Sequence, residues 1–441
     1  MKKTVLSFVF WGTALFSFSQ ESVLRLSIPQ LFQLAEDHSQ ELKVSELSVQ
    51  ASEEDIKVAK NGLLPSFDVS LSAGYLSDLR VTDRNFSNGQ TIKMKNFGDL
   101  ANFTNSLAVE ATYLVYSGGA VQNGIRNAKM ANEISQQQQV QTRQNVRFLL
   151  LSYYLDLFRL TNQEEVYLKN IEQTKILVEN IQNKHSEGMA LKNDITRHEL
   201  HLQSLELALK QTRNAKSIAQ NKLRTLLKLA PETVVEVDQT ILENLPIADE
   251  EQTWQETATS SSPILKISDI KTNIAENNVK IAKSDRLPHI ALYASDQLNG
   301  PITIDMDVKD NNMNLWTVGV GVTYNLASLY KSGRNIRKAK TDSEIAKAEK
   351  ETAMENLQIE VNSAHTLFLE SFSILETCEK SLELAVLNYN VVNNRYVNDL
   401  ALITDMLDAS NSKIEAELNM ANAKINIVLK YYNLKRASGD L

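Results

Sequence analysis

The stretch Trp316-Thr-Val-Gly-Val-Gly-Val-Thr-Tyr-Asn-Leu326 alternates without a break. Trp316, Val318, Val320, Val322, Tyr324 and Leu326 fall on one side, and Thr317, Gly319, Gly321, Thr323 and Asn325 on the other. A period of two marks an extended strand with one greasy and one polar face. Ser66 to Tyr75 repeats the pattern, setting Phe67, Val69, Leu71, Ala73 and Tyr75 against Ser66, Asp68, Ser70, Ser72 and Gly74. Ser106 to Tyr116 sets Leu107, Val109, Ala111, Tyr113 and Val115 against a face with Glu110 and Thr112, and Pro288 to Ser295 is the weakest of the four. The pattern predicts strands over about 65–76, 105–116, 288–295 and 315–326. Each has the length of a tilted strand crossing an outer membrane. A soluble sheet with one face on a core would alternate in the same way.

Around the strands the chain repeats itself. Leu64-Pro65 precedes the first strand and Leu287-Pro288 the third, a shift of 223 positions. Ile125-Arg126-Asn127-Ala128-Lys129 returns as Ile336-Arg337-Lys338-Ala339-Lys340, a shift of 211, and Ala190-Leu191 with Asp194 returns as Ala401-Leu402 with Asp405. Each half therefore reads helix, strand, loop, strand, long helix, turn, helix. The loops, 76–105 and 296–314, are polar; the first holds Arg80, Asp83, Arg84 and Asn88-Gly89, the second Asp305, Asp307 and Asp310.

The helices are long. No proline occurs from about Gly118 to Glu187, nor from about Ser332 to Asn398. Leu357, Val361, Ala364, Phe368, Phe372, Leu375, Cys378, Leu382, Ala385, Tyr389, Val392 and Tyr396 recur every three or four positions, the spacing of a coiled-coil face. Some 70 residues at 1.5 Å rise reach about 105 Å, which only neighbouring helices of similar length can cover. Shorter helices from Ile28 to about Gly62, Leu191 to about Leu229, Thr253 to Asp285 and Leu402 to Arg436 supply them. The expected organisation is a signal peptide at 1–19, a first repeat at 20–230, an equatorial linker at 231–252 and a second repeat at 253–441.

Lys2 and Lys3 followed by the apolar run Val5 to Phe18 read as a secretory signal, with a cut before Gln20. An uncleaved membrane anchor is the alternative. With Lys+Arg 46 against Asp+Glu 54 and a net charge of −8, the chain lacks the clustered cations that nucleic acid requires. The lone Cys378 excludes an intrachain disulfide. No other stretch is apolar enough for a transmembrane helix, so any membrane span is built of strands. Four strands in lipid would leave edge N–H and C=O groups unpaired, so a barrel must close through further copies of the chain. The repeat itself does not say how many.

The whole plan from about Ile28 to Arg436 resembles the TolC family of outer-membrane efflux proteins. The residues that carry it are Leu64-Pro65 and Leu287-Pro288, then Ser117-Gly118-Gly119 and Ser332-Gly333-Arg334 where strand gives way to long helix. The helix-to-helix turns carry it further: His185-Ser-Glu-Gly188-Met-Ala190-Leu191-Lys-Asn-Asp194-Ile195, and Arg395-Tyr396-Val-Asn-Asp399-Leu400-Ala-Leu402-Ile-Thr404-Asp405-Met-Leu407-Asp408-Ala409. The resemblance implies a mainly α chain with membrane β: a homotrimer whose twelve-stranded β-barrel, four strands per chain, continues into an α-helical coiled-coil tunnel in the periplasm. It implies an outer-membrane duct for efflux or type I secretion, joined by a periplasmic adaptor to an inner-membrane transporter of RND, ABC or MFS type.

The same resemblance assigns the tips. Gly188, Met189 and Ala190, with Asp399, Leu400 and Ala401, stand where the family docks its adaptor, and Asp399 replaces the usual glycine. Asp405 and Asp408 match the aspartates that ring the tunnel entrance; at i and i+3 they share a helix face, and symmetry would multiply them into a cation-favouring ring. Asp194 and Tyr396 match a polar link that holds the tip closed, whereas Ala401 stands where a second link uses arginine. His198 and His201 have a spacing that can bind metal, but without a third ligand they read as a surface pair. No cofactor, nucleophile elbow, P-loop or dinucleotide fingerprint is present, and no catalysis is expected. The competing function is an exported coiled-coil stalk or adhesin-like protein without a lumen.

Overall fold

The computed structural model describes residues 23–77, 81–82, 91–92, 102–247, 249–302, 310–398 and 400–441. The signal segment 1–19, the loop residues Arg80, Asp83, Arg84, Asn88, Gly89, Asp305 and Asp307, and Asp399 lie outside them. In chain order the elements are β1 (Val23–Leu26), α1 (Ile28–His38), α2 (Gln40–Asn61), β2 (Ser66–Tyr75), β3 (Val81–Thr82), β4 (Thr91–Ile92), β5 (Phe103–Tyr116), α3 (Ala120–Ser186) and α4 (Lys192–Leu227). Then follow β6 (Val234–Val237), a 3-10 turn at Gln239–Leu242, α5 (Glu251–Ser261), α6 (Pro263–Ser284), β7 (His289–Gly300), β8 (Met313–Thr323), α7 (Ser328–Val397) and α8 (Ile403–Ala437).

Several boundaries differ from the sequence reading, each for a local reason. The two helices expected before the strands are each broken, at Ser39 and Ser262, where ψ of 123° and 120° takes the backbone out of helix. In the second half Pro263 enforces the break, because the residue before proline avoids the helical region. The breaks lie 223 positions apart, so the repeat includes them. The weakest strand, β7, runs on to Gly300, drawing Asp296 out of the expected loop and into the sheet. Helix α7 begins at Ser328, so Ser332-Gly333-Arg334 lies inside it; Asn325 stops the strand early by accepting the Ala327 amide at 3.1 Å. The linker contributes β6, which pairs in parallel with β1, a pairing that too few residues encode for alternation to show.

The chain forms two compact units that cut across both repeats. One comprises residues 44–140 and 263–355 and holds the four-stranded antiparallel sheet, in the order β2-β5-β7-β8. Its register keeps the faces separate: Phe67, Ala111, Ala294 and Val318 lie in one row, and Asp68, Glu110, Ser295 and Thr317 in the next. Among the described residues Asp296, between Val109 and Trp316, interrupts the apolar face at mid-sheet, and Asn314 and Asn105 do so toward one end. That face has no core on it: Phe67, Val69, Leu71, Trp316 and Val318 are all exposed. The soluble-sheet alternative needs that face covered, and among the described residues nothing covers it. Beside the sheet, helices meet through polar groups: the Asn277 amide donates to Asn127 and to the Asn123 carbonyl, both at 2.8 Å, and Ser52 donates to Asn132.

The other unit comprises residues up to 43, 141–262 and 356–441. Its core is apolar. Leu150, Leu151, Tyr154, Leu155 and Phe158 of α3 pack with Leu31 of α1, Leu223 and Leu227 of α4, Val235 of β6 and Val428 of α8. Each such side chain stabilises by about 1.5–3 kcal/mol relative to exposure. The Tyr154 hydroxyl donates to the Leu26 carbonyl and accepts from the Asp238 amide, tying β1 and the linker to α3. Burial pushes that phenol up to about 12. Phe368 of α7 sits against Phe372 and Tyr431, and Trp254 of α5 against the same tyrosine.

Candidate functional site

Both hairpin turns lie in the apolar-core unit, and the duplication extends to their hydrogen bonds. Where α3 ends, Gly188 adopts φ +77°, and the Met189 amide donates to the Lys184 carbonyl at 2.8 Å. This is the left-handed cap that only glycine adopts cheaply. The demand is conformational, since a Cβ at Gly188 would meet nothing. At the second turn, the Leu400 amide donates to the Arg395 carbonyl, again at 2.8 Å. The returning helices also match: Leu191 and Leu402 are the N-caps, and Asp194 and Asp405 accept their amides at 3.3 Å. A carboxylate there satisfies an orphan N–H and complements the positive end of the helix dipole.

The two turns meet. Lys184 Nζ donates to the Val397 carbonyl at 2.6 Å, and Tyr396 Oη lies 3.2 Å from His198 Nε2 with the rings tilted at 56°. Between them lies a groove of about 570 Å³ lined by Ile181, Met189, Asp194, Tyr396, Ala401 and Ile403 among others. Large apolar side chains stand in solvent at both turns: Met189 is 58% exposed and Leu400 67%. Asp405 and Asp408 are exposed on one face of α8, above the buried Met406 and Ala409.

On α4 His198 meets the tyrosine hydroxyl, while the Asp194 carboxylate, which lines the same groove, accepts the Leu191 amide at its own helix start. One turn of helix separates the two, and the position nearer the bundle interior faces the tyrosine. One expectation needs correcting: His198 and His201 are not a surface pair, since His198 is 1% exposed and His201 has its Nε2 buried. Among the described residues no group of three His, Cys, Asp or Glu could hold a metal. Burial pushes His198 down to about 4, with His201 acting in the same direction and Asp194 opposing; burial lowers His201 too. A histidine at i+4 from a capping aspartate, facing tyrosines at 389 and 396, carries a weak sequence signal that becomes legible only once the helices are paired.

Above the turns, Lys413 is buried between helices. Its Nζ donates to Gln173 at 2.8 Å and sits 4.4 Å over the Tyr389 ring. Glu417 accepts from Lys169 at 3.1 Å and from Asn170 at 2.8 Å. Burial lowers the Lys413 ammonium, and Glu417 partly restores it.

A two-faced sheet with a bare apolar side, joined in one chain to duplicated helical hairpins, defines an outer-membrane channel subunit. The chain belongs to the outer membrane efflux protein family, whose sequence signature matches residues 31–227 and 254–440. It is similar to the outer membrane efflux protein BepC of Brucella suis biovar 1, at 20% identity over 413 residues, covering 91% of this chain and 82% of that one. Its fold matches the outer membrane channel CmeC of Campylobacter jejuni with a TM-score of 0.73 at 15% identity, covering 100% of this chain and 94% of that one. It also matches the outer membrane protein VceC of Vibrio cholerae, with a TM-score of 0.74 at 15% identity, covering 93% of this chain and 96% of that one. Membership places the protein in the outer membrane, extending into the periplasm, in a family of efflux channels, which are not enzymes.

Proposed function

We propose that this chain is one third of a passive duct that carries cargo from an inner-membrane transporter and its periplasmic adaptor to the outside, and that the helix tips are its gate. The observation that carries this reading is the sheet. Strands β2 and β8 are its two outer strands, each paired on one side only among the described residues. In lipid every unpaired edge group costs several kcal/mol, so the edges must meet those of other copies. Three chains close a twelve-stranded barrel, within the range of known bacterial barrels. The row with Asp68, Glu110, Ser295 and Thr317 then lines the pore, and the row with Phe67 and Val318 faces lipid.

At the hairpin turns, exposed Met189 and Leu400, with Gly188, Ala190, Ala401 and Asp399, form the docking surface for an adaptor. Asp405 and Asp408, repeated by symmetry, ring the entrance and favour cations. The transporter is of RND, ABC or MFS type, and the cargo is a drug, a metal ion or a polypeptide. The test is reconstitution: purified protein should migrate as a heat-modifiable trimer and conduct ions in planar bilayers, more so for cations than anions. A monomeric, water-soluble and non-conducting protein would instead be the stalk or adhesin-like alternative.

A further inference from the structure

We propose that His198 and Tyr396 form a proton-released latch between the two hairpins of each chain, closed while the imidazole is neutral and released when it is protonated. Its consequence for conduction rests on the tips being the gate; the latch itself does not.

The geometry carries the argument. His198 joins α4 to α7 through Nε2 and the Tyr396 hydroxyl. Its other nitrogen, Nδ1, is buried with no hydrogen-bond partner among the described residues. An unpartnered lone pair is tolerable there, but an N–H⁺ is not, because a buried charge without an acceptor is expensive. With Nε2–H donating to the tyrosine oxygen, Nδ1 is the site the next proton must take. The closed tip therefore accommodates the neutral ring alone.

The neighbours do not rescue the charge. On its own helix, Asp194 lies one turn below and His201 one turn above. Asn170, Gln173, Thr174 and Leu177 of α3 line the same small void and carry no charge. From α7 come Tyr389 and Tyr396, and from α8 Met406, Leu407 and Ser410, with the Lys413 ammonium over the far side of Tyr389. Among the described residues Asp194 is the anion that acts on the ring, and it is engaged with the Leu191 amide. His201 adds positive charge, and the Lys413 ammonium is offset by the Glu417 carboxylate 4.0 Å from it.

The sign follows. The imidazole is held down to about 4 in the closed tip, whereas one open to water titrates near 6.5. The closed form's advantage is complete above 6.5 and is lost as pH falls toward 4. Local opening should therefore be about 30-fold more favourable at pH 5 than at pH 7.5. His201, depressed by the same burial, adds to the effect.

Hydrogen exchange on the full-length assembly in detergent tests this, with rates at pH 5.0 and 7.5 corrected for intrinsic exchange. Peptides covering residues 192–203 and 389–398 should lose protection about 30-fold at the lower pH, while those around Leu223 stay unchanged. His198→Gln, which can still donate to Tyr396 but cannot titrate, should show little pH response, and H198Q/H201Q none. No response in the native chain, or an equal response in the double variant, overturns the latch. Should the glutamine variants fail to assemble, Tyr396→Phe decides: it should be less protected at pH 7.5 yet keep the pH dependence, and unchanged protection refutes the proposal. Conductance measured in parallel separates the two readings. If exchange responds and conductance does not, the latch stands and the gate assignment falls.

Discussion

Replacing Asp194 with alanine should open the first turn of α4 by a calculable amount. Its carboxylate makes one hydrogen bond of 3.3 Å, to the Leu191 amide, and sits in the first turn of the helix. Losing an N-terminal cap of this kind costs about 1 kcal/mol, and losing a partly exposed charge near the helix dipole a few tenths more. The sum, about 1–1.5 kcal/mol, makes the local opening equilibrium about tenfold more favourable per chain. If three tips must part together, the open fraction rises about 10³-fold; if each opens alone, it rises tenfold. Open probability in planar bilayers, read beside hydrogen exchange of residues 191–200, distinguishes these cases. Asp405→Ala is the internal control, because its bond to Leu402 has the same length and place. Equal exchange effects with a loss of cation selectivity in Asp405→Ala alone would assign the entrance ring to Asp405. An Asp194→Ala protein with unchanged exchange and unchanged open probability would refute the capping argument, and with it a role for this carboxylate in tip closure.

Tyr154→Phe strands the Leu26 carbonyl and the Asp238 amide and should cost about 2 kcal/mol, seen as a lower urea midpoint. With the phenol raised to about 12 from an unfolded value near 10, the native protein should hold this stabilisation below pH 10 and lose it as pH rises through 12. Glu417→Ala leaves Lys413 buried without its nearest anion and should destabilise by about 3 kcal/mol in thermal unfolding, whereas Lys413→Met with Glu417→Leu together should be close to neutral. Val318→Lys on the exposed apolar row should cost about 2–4 kcal/mol in refolding into lipid vesicles, and Thr317→Lys on the opposite face far less. Gly118→Ala should weaken the start of α3, since φ is +65° and the new Cβ would lie 2.8 Å from the Ser284 carbonyl; a lower thermal unfolding midpoint would report it.

The repeat, the four alternating segments and the length of the helices were written in the chain, because period and spacing are properties of local sequence. Alternation placed Trp316 and Val318 together, and the register between strands agrees. The turns were legible through the resemblance, but their physical basis, a left-handed cap at Gly188 and amides accepted by Asp194 and Asp405 at the helix starts, appears only in the structure. What the sequence left undetermined was anything fixed by one helix lying against another. Whether His198 faces water or the bundle interior depends on how α4 is rotated against its neighbours, and a one-position change in the buried face would have exchanged its role with that of Asp194. The same holds for β1 with β6, four residues each, whose pairing depends on segments more than 200 positions apart. Period and composition determined the elements; only packing decided which polar atoms are cut off from water, and so which of them respond to a proton.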